Sequence, residues 1–406
     1  MTEQDHGLDT QLLARFLKKR FHEEKPVEVI SVDAANAAPK GNNYASLVRR
    51  VKMVCLTASG KKKCFSIIVK NELQGEGSKE AMVWPVFRVE TEMYTTILPM
   101  MEDLMEEFGD KREKLWPDLL GFRRYNMIAF KDLSEEGYEG VERRNSLDFN
   151  HSKLVLRALS RIHAMSKVLL ERGMITEASK GKIGIASEDP TMNKWWHCLL
   201  TVVPDAMLNS WGDEWKELAG KLRNQESVIM RNMVSLCEQY DKRFEVLNHG
   251  DPWMTNMLFK YMEFEDNFPV SIRLVDYQMF HLNSFIWDLA YFLITSTIPT
   301  VRRTRLHELF EVYQVSLEKN LNFFNYKGYV PTLEDVKSEW ERTQYGHLGF
   351  SMFQPMMTAE TSSAFDMEKI TTHPPHEVVD ESVFNDGKAL RSIGEDLKNF
   401  DLLGLL

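Results

Sequence analysis

Three polar side chains have the types and the spacing that phosphoryl transfer needs. Asp251 lies in the segment His-Gly-Asp-Pro-Trp-Met-Thr-Asn of residues 249–256, Asn256 closes it, and Asp276 follows a strand-like run. In kinases one carboxylate orients the attacking hydroxyl, while an amide and a second carboxylate hold Mg²⁺ on the nucleotide phosphates. His-x-Asp, then Asn, then a strand ending in Asp is the order of those groups. We therefore predict Asp251 as catalytic residue and Asn256 and Asp276 as Mg²⁺ ligands.

Two short strands must bring these side chains together. Residues 270–275 alternate between apolar and other side chains, a pattern that predicts a half-buried strand, and residues 257–259 form a short apolar partner. An acidic turn at 263–267 joins the two. A hairpin of this kind places Asn256 beside Asp276. The alternative is a polar turn between two ordinary strands, which would not require Asp251, Asn256 and Asp276 in this order.

The stretch also resembles a known family. His249-Gly250-Asp251-Pro252-Trp253, Val275-Asp276-Tyr277-Gln278 and Trp287-Asp288-Leu289-Ala290-Tyr291-Phe292-Leu293 are similar to motifs of the ecdysteroid-kinase-like (CHK-kinase-like) family, within the choline kinase and aminoglycoside phosphotransferase group. The resemblance implies an α+β, bilobal, protein-kinase-like fold with a small β-rich N-lobe at 1–132 and a larger, mainly helical C-lobe at 133–406. It also implies ATP- and Mg²⁺-dependent phosphorylation of a small-molecule hydroxyl.

The resemblance assigns nucleotide-binding roles in the N-lobe. Asn43 belongs to a Gly-Asn-Asn turn whose backbone could approach phosphate oxygens, and Ser46 matches a phosphate-contacting serine. Lys70 closes an apolar strand and matches the lysine that neutralises the α and β phosphates. Glu90 lies in the pattern Phe-x-x-Glu-x-x-x-Tyr and is expected to pair with Lys70; Glu92 is the rival carboxylate, which faces elsewhere on a helix.

Further residues of the motifs have supporting roles. Asp132, at the position of the interlobe hinge, is predicted to contribute to nucleotide binding. The family commonly has Glu-Asp-Leu there, so the preceding Lys131 is a departure. His249 belongs to the catalytic loop and is expected to brace it rather than to transfer protons. Gly250 stands where many protein kinases carry Arg, so we predict no activation-loop phosphate switch. Asp288 is expected to cap its helix and to anchor the catalytic loop.

Composition limits the class of protein and of partner. The chain has 406 residues, 27% of them charged, and a net charge of −10, which argues against nucleic acid or an anionic membrane as partner. The four cysteines show no Cys-x-x-Cys pairing and are expected to be free thiols. No apolar run is long enough to span a bilayer. We predict a cytoplasmic protein without membrane insertion, and infer no protein partner.

Helices are expected at 10–21, 80–97, 149–170, 192–207, 214–243, 288–297, 302–324, 333–345 and 381–406.

The acceptor alcohol is less well defined by the sequence. Trp195 and Trp196 could line an acceptor pocket for an ecdysteroid or another apolar alcohol, although helical apolar residues usually form core. His163 is expected to be a packed, hydrogen-bonded histidine. The alternatives are a choline- or ethanolamine-type kinase, which needs an aromatic cage, and a catalytically silent nucleotide or sterol binder.

Overall fold

The fold was obtained as a computed structural model of the 406-residue chain. It describes residues 9–20, 26–37, 46–72, 86–124, 126–175, 190–264, 267–359, 364–366, 369–370, 372–385 and 387–406. Within these residues it has a small antiparallel sheet in the N-terminal part and a mostly helical larger part. The predicted α+β class, with a small β-rich lobe and a larger helical lobe, is confirmed.

The N-terminal sheet has five antiparallel strands in the order β1-β2-β3-β5-β4. They are β1 (Pro26–Asn36), β2 (Ser46–Thr57), β3 (Lys62–Glu72), β4 (Leu119–Arg123) and β5 (Met127–Lys131). Alternation along β2 and β3 buries one face, where Val51 and Met53 meet Phe65 and Ile67. Helix α1 (Thr10–Arg20) covers that face with two fully buried leucines. Residues 58–61 form the turn between β2 and β3, and Lys62 and Lys63 already pair with β2.

The helix that follows the sheet is longer than its sequence pattern indicated. It runs from α2 (Val86–Glu92) through a π-helical turn (Met93–Ile97) into α3 (Leu98–Glu107). The predicted start lies outside the described residues, and the predicted end at residue 97 was wrong. Pro99 directly follows the π-helical turn in the first turn of α3, and buried Met101 and Leu104 continue the apolar stripe.

The larger part contains helices and two small sheets. Its helices are α4 (Phe149–Glu171), α5 (Pro190–Ser210), α6 (Lys216–Asn224), α7 (Glu226–Glu238), α8 (Ile286–Ser296), α9 (Pro299–Phe323), α10 (Leu333–Arg342), α11 (Gln344–Met357), α12 (Pro375–Val378), α13 (Ser382–Asn385) and α14 (Lys388–Leu402). One sheet joins β6 (Glu139–Gly140), β8 (Met257–Tyr261) and β9 (Pro269–Leu274); the other pairs β7 (Glu245–Asn248) with β10 (His281–Ser284). No helix of the described residues is long and apolar enough to cross a membrane.

Several predicted elements differ from those observed. The helix expected at 214–243 is broken at Gln225 into α6 and α7, and the helix expected at 381–406 is divided into α13 and α14. Helix α11 was not predicted beyond residue 345. In β9 the alternation is imperfect, because Val270 is exposed and Arg273 is buried. A register shift at Lys260 and Tyr261 of the partner strand accompanies this change.

Candidate active site

A buried lysine lies between two carboxylates. The Nζ of Lys70 donates hydrogen bonds to Oε2 of Glu90 at 2.6 Å and to Oδ1 of Asp276 at 2.5 Å. Burial disfavours the charge on Lys70, but Asp276 and Glu90 outweigh it and raise the pKa of the ammonium above its ordinary value. Lys70 therefore stays charged. This contact joins strand β3, helix α2 and the end of hairpin β8–β9 at one point.

Each partner is held by its own element. Lys70 is close to the end of β3 and is paired with Val48 on one side and Ile128 on the other. Glu90 is buried on α2, whereas Glu92 is half-buried two positions on and faces another direction. The predicted choice of Glu90 over Glu92 as the partner of Lys70 is confirmed by the contact. Burial and the negative charge of Asp276 raise the pKa of Glu90, while Lys70 opposes the rise.

The hairpin brings Asn256 next to the segment that carries Asp276. Strands β8 and β9 pair from Met257 and Leu274 outward, and the N–H of Val275 donates to the carbonyl of Asn256 at 3.0 Å. Asp276 adopts a φ of 67°, a conformation that side-chain-bearing residues seldom take. Strained backbone of this kind is frequent at functional sites. The turn directs the Asp276 carboxylate toward Lys70.

Asp251 is the third acidic side chain of the site. Its Oδ1 accepts a hydrogen bond from the hydroxyl of Tyr291 at 2.7 Å, and its Oδ2 accepts one from Nδ2 of Asn256 at 3.1 Å. The same Nδ2 donates to the backbone carbonyl of Asp251 at 3.0 Å. Burial, followed by the negative charge of Asp276, raises the pKa of Asp251 to about 7. A carboxylate of this kind is suited to accept a proton near neutral pH.

The loop that carries Asp251 is fixed by a buried aspartate on α8. Asp288 accepts hydrogen bonds from the backbone N–H of His249 at 2.7 Å and of Gly250 at 2.9 Å. Gly250 has a φ of 84°, and a Cβ at this position would lie 1.9 Å from the carbonyl oxygen of Met279, so only glycine fits. The expected role of Asp288 as anchor of this loop is confirmed by these contacts.

His249 connects the two halves of the site. Its Nδ1 accepts from the N–H of Asp251 at 3.4 Å, and its Nε2 lies 3.1 Å from the carbonyl of Val275. The protonated nitrogen is therefore Nε2, which donates to Val275. Burial lowers the pKa of His249, against the raising effect of Asp288. These contacts agree with a bracing role and leave neither ring nitrogen available for proton transfer.

A second histidine, His163, contacts Asp288 and so supports the loop indirectly. Nε2 of His163 lies 3.0 Å from Asp288, and its Nδ1 lies 2.8 Å from the hydroxyl of Tyr313. Because the Asp288 carboxylate can only accept, His163 donates from Nε2 and accepts from Tyr313 at Nδ1. His163 is fully buried. The prediction of a packed, hydrogen-bonded histidine is confirmed.

A cleft of about 1120 Å³ lies between the N-terminal sheet and hairpin β8–β9. Its walls include Val48, Arg50, Ile68, Lys70, Glu90, Tyr94, Phe130, Asp132, Asn256, Leu258 and Asp276. Apolar side chains of the sheet and the hairpin, including Val48, Ile68 and Leu258, thus line the same cleft as the charged cluster of Lys70, Glu90 and Asp276. Flat apolar walls beside fixed charges are suited to a nucleotide.

The other residues predicted to bind the nucleotide or the acceptor are not part of the Lys70 cluster. The carboxylate of Asp132 lines the cleft but accepts hydrogen bonds from Arg50, Ser66 and Ser134, so it holds the hinge together. Lys131 pairs with Glu136. Ser46 is buried at the first position of β2. Asn43 lies outside the described residues. Trp196 is almost fully buried, and Trp195 packs against Phe353 and Phe365.

The donors at the end of the cleft fit a small divalent cation. Asp276 and Asn256 both line the cleft and offer hard oxygen ligands. Nδ2 of Asn256 is engaged by Asp251, so the amide oxygen is the atom left to bind a metal. Mg²⁺ typically takes one or two such protein ligands together with phosphate oxygens and water. No group of three or more His, Cys, Asp or Glu side chains suited to a metal occurs among the described residues.

Sequence reasoning missed two tyrosines. Tyr291 lies three positions after Asp288 in the Trp-Asp-Leu-Ala-Tyr motif, which places both on the same face of α8 as neighbours. This spacing could have identified Tyr291 as a contact of the same loop. Tyr313 lies far along α9, and no local signal connects it with His163.

Comparisons with known proteins identify relatives. A sequence model of the ecdysteroid kinase-like family matches residues 40–326, well over half of the chain. No curated protein matches the chain. Among solved structures, it is similar to one described as the structure of the GDP and kanamycin complex of APH(2")-IIia, with 10% sequence identity and a TM-score of 0.40, covering 96% of this chain and 99% of that chain.

Proposed function

Because the chain belongs to the ecdysteroid kinase-like family, we propose that it transfers the γ-phosphoryl group of ATP to a hydroxyl of a small molecule, with Mg²⁺ as cofactor. One observation carries this proposal: Lys70 contacts Glu90 and Asp276 in the wall of a cleft that also includes Asn256, a hydrogen-bond partner of Asp251. A protein that binds a nucleotide or a sterol without catalysis would have no need of all five of these side chains.

Lys70 provides the fixed positive charge for the nucleotide phosphates. Its position depends on Glu90, because without that carboxylate Asp276 would be the one acidic partner of the ammonium among the described residues. Asn256 and Asp276 would hold Mg²⁺, which neutralises charge on the phosphates when bound. Asp276 leaves Oδ2 without a hydrogen bond in the described part of the chain, and that oxygen is suited to the metal.

Asp251 orients the acceptor hydroxyl and takes its proton late in the transfer. Its raised pKa of about 7 lets it both hold a negative charge and accept a proton at neutral pH. His249 keeps Asp251 next to Val275, and therefore next to the metal ligand that follows in the chain. In this arrangement Asp251 and Asn256 act on the substrates and the metal, and His249 positions Asp251.

The acceptor is proposed to be an ecdysteroid or another apolar alcohol, by analogy with the family name. Choline and ethanolamine require an aromatic cage for a cation. Trp195 packs against Phe365 and the buried Trp196 against Phe353, which favours a role in the core over such a cage. We also propose a division into lobes at 1–132 and 133–406. A cytoplasmic location is supported by four free thiols.

The test is Mg²⁺-dependent ADP release across a panel of ecdysteroids, other apolar alcohols, choline and ethanolamine. Asp251→Asn and Asp276→Asn are each expected to lower kcat by roughly 10²- to 10⁴-fold. Asp241→Asn, on a surface aspartate that pairs with Arg243, is the matched control and should leave kcat unchanged. Binding of ATP and an alcohol without turnover would favour the silent binder, and normal turnover in Asp276→Asn would refute the metal assignment.

A further inference from the structure

The side chain of Asp251 accepts a hydrogen bond from helix α8, outside its own loop. The hydroxyl of Tyr291 donates to Oδ1 of Asp251 at 2.7 Å, and the other carboxylate oxygen accepts from Asn256. Asn256 belongs to the same loop as Asp251, five positions further along the chain. Among the described residues, Tyr291 is therefore the hydrogen-bonding side chain that ties the Asp251 carboxylate to the helical scaffold.

Tyr291 is itself well fixed. It lies one helical turn after Asp288, which holds the N–H groups of His249 and Gly250. Its ring packs edge-on against Phe350 of α11, with centroids 5.0 Å apart. Burial and the negative charge of Asp251 raise the pKa of Tyr291, so the phenol stays protonated and remains a donor. One face of α8 thus holds the backbone of the loop and the side chain of its aspartate.

We propose that Tyr291 is a positioning residue for phosphoryl transfer, which holds the Asp251 carboxylate in the orientation that meets the acceptor hydroxyl. The inference rests on the proposed function. Each carboxylate oxygen has two lone pairs, so the bond from Tyr291 leaves one on Oδ1 for the acceptor. It fixes rotation about the Cβ–Cγ bond of Asp251. Catalytic geometry must hold to roughly 0.5 Å, and a misplacement of about 1 Å can cost about 10²-fold in rate.

A merely structural hydrogen bond would act differently. It would change the stability of the fold and leave kcat and KM of the folded protein unchanged. A positioning role lowers kcat, while KM for ATP stays the same because neither Tyr291 nor Asp251 lines the nucleotide cleft. The two roles are therefore separated by kinetics of the folded variant.

Tyr291→Phe is the decisive variant, because it removes one oxygen and keeps the ring on Phe350. We expect kcat to fall about 10- to 100-fold, with KM for ATP within about threefold of wild type and the melting temperature within a few degrees. Tyr240→Phe is the matched control: Tyr240 also donates to a carboxylate, that of Glu245 at 2.6 Å, but away from the cleft. Its kcat should equal that of wild type.

Crystal structures of the full chain and of Tyr291→Phe provide a readout that needs no turnover. In the variant the Asp251 carboxylate should rotate away from its wild-type orientation or occupy two conformers. An unchanged Asp251 orientation, a kcat within twofold of wild type, or a melting temperature lowered by more than about ten degrees would overturn the proposal. If wild type phosphorylates no alcohol, the proposed function fails, and the orientation of Asp251 in the two structures still decides the role of Tyr291.

Discussion

Asp288 and His249 are joined by a hydrogen bond of 2.7 Å from the backbone N–H of the histidine to the buried carboxylate. The same carboxylate also accepts from Gly250 and from His163. Burial opposes its charge, but the bond from His163 and the other donors outweigh it, so the pKa of Asp288 lies below its ordinary value. Asp288 is thus a charged hub that connects α4 and α8 with the loop bearing Asp251.

Asp288→Asn should destabilise the protein by roughly 3 kcal/mol. The amide nitrogen would face at least one of the three donors, which leaves a buried N–H without an acceptor. The free energy of unfolding, measured by urea denaturation, checks this value. Asp241→Asn, at an exposed position, should change it by less than about 1 kcal/mol. If the Asp288→Asn variant is as stable as wild type, the hydrogen bonds to the Asp288 carboxylate do not stabilise the fold.

Gly250→Ala should damage both the loop and the activity. The φ of 84° disfavours any side chain, and the added Cβ would overlap the carbonyl oxygen of Met279 at 1.9 Å. We expect a loss of about 2 kcal/mol or more in unfolding free energy together with a strong loss of kcat. Gly60→Ala is the control, since Gly60 has a φ of 77° with no atom within 4 Å of its Cβ. It should lose about 1 kcal/mol and keep its activity. Equal effects would contradict the steric argument.

The site was largely predictable because its chemistry restricts residue types. Asp251, Asn256 and Asp276 occur in a fixed order around a hairpin whose apolar strands are visible in the sequence. Lys70 and Glu90 required the family pattern, because a lysine at a strand end has little meaning alone. The contact between Lys70 and Asp276 joins residues 206 positions apart, and the sequence did not predict it.

Other features could not be predicted because their signals are not local. Helix α11 is buried over most of its surface and contains Gly346, Gly349 and Pro355, so it has neither a polar face nor a helical composition. Arg273 was placed on the polar face of its strand, yet it is buried, with its guanidinium over the ring of Tyr138 and an ion pair to Glu113. Partners of this kind come from distant segments, which periodicity does not reveal.

Glu90→Gln is expected to weaken the use of ATP. Loss of the carboxylate charge leaves Lys70 with Asp276, the proposed metal ligand, as its one acidic partner in the described structure, and the ammonium is drawn toward that residue. We expect kcat/KM for ATP to fall by roughly 10²-fold. Glu92→Gln is the control on the same helix and should remain within about threefold of wild type. If both variants lose the same activity, the helix as a whole, rather than the ion pair, is responsible.

His347 makes stability depend on pH. Burial first, and the charge of Arg302 second, lower the pKa of His347 from its ordinary value to about 3. Below about pH 6.5 the unfolded chain therefore binds a proton that the folded protein does not, and stability falls as the pH decreases from about 6.5 toward 3. Between about pH 8 and about pH 5.5 this histidine alone should remove about 1.4 kcal/mol.

The difference in unfolding free energy between wild type and His347→Gln isolates this effect. His347→Gln loses packing and the contact with Thr343 at every pH, but it lacks the titrating group. Its disadvantage relative to wild type should therefore shrink by about 1.4 kcal/mol from about pH 8 to about pH 5.5, as measured by urea denaturation. His307→Gln, on an exposed histidine of α9, controls for the substitution itself. A constant difference at both pH values would show that His347 takes up its proton in the folded protein as readily as in the unfolded chain.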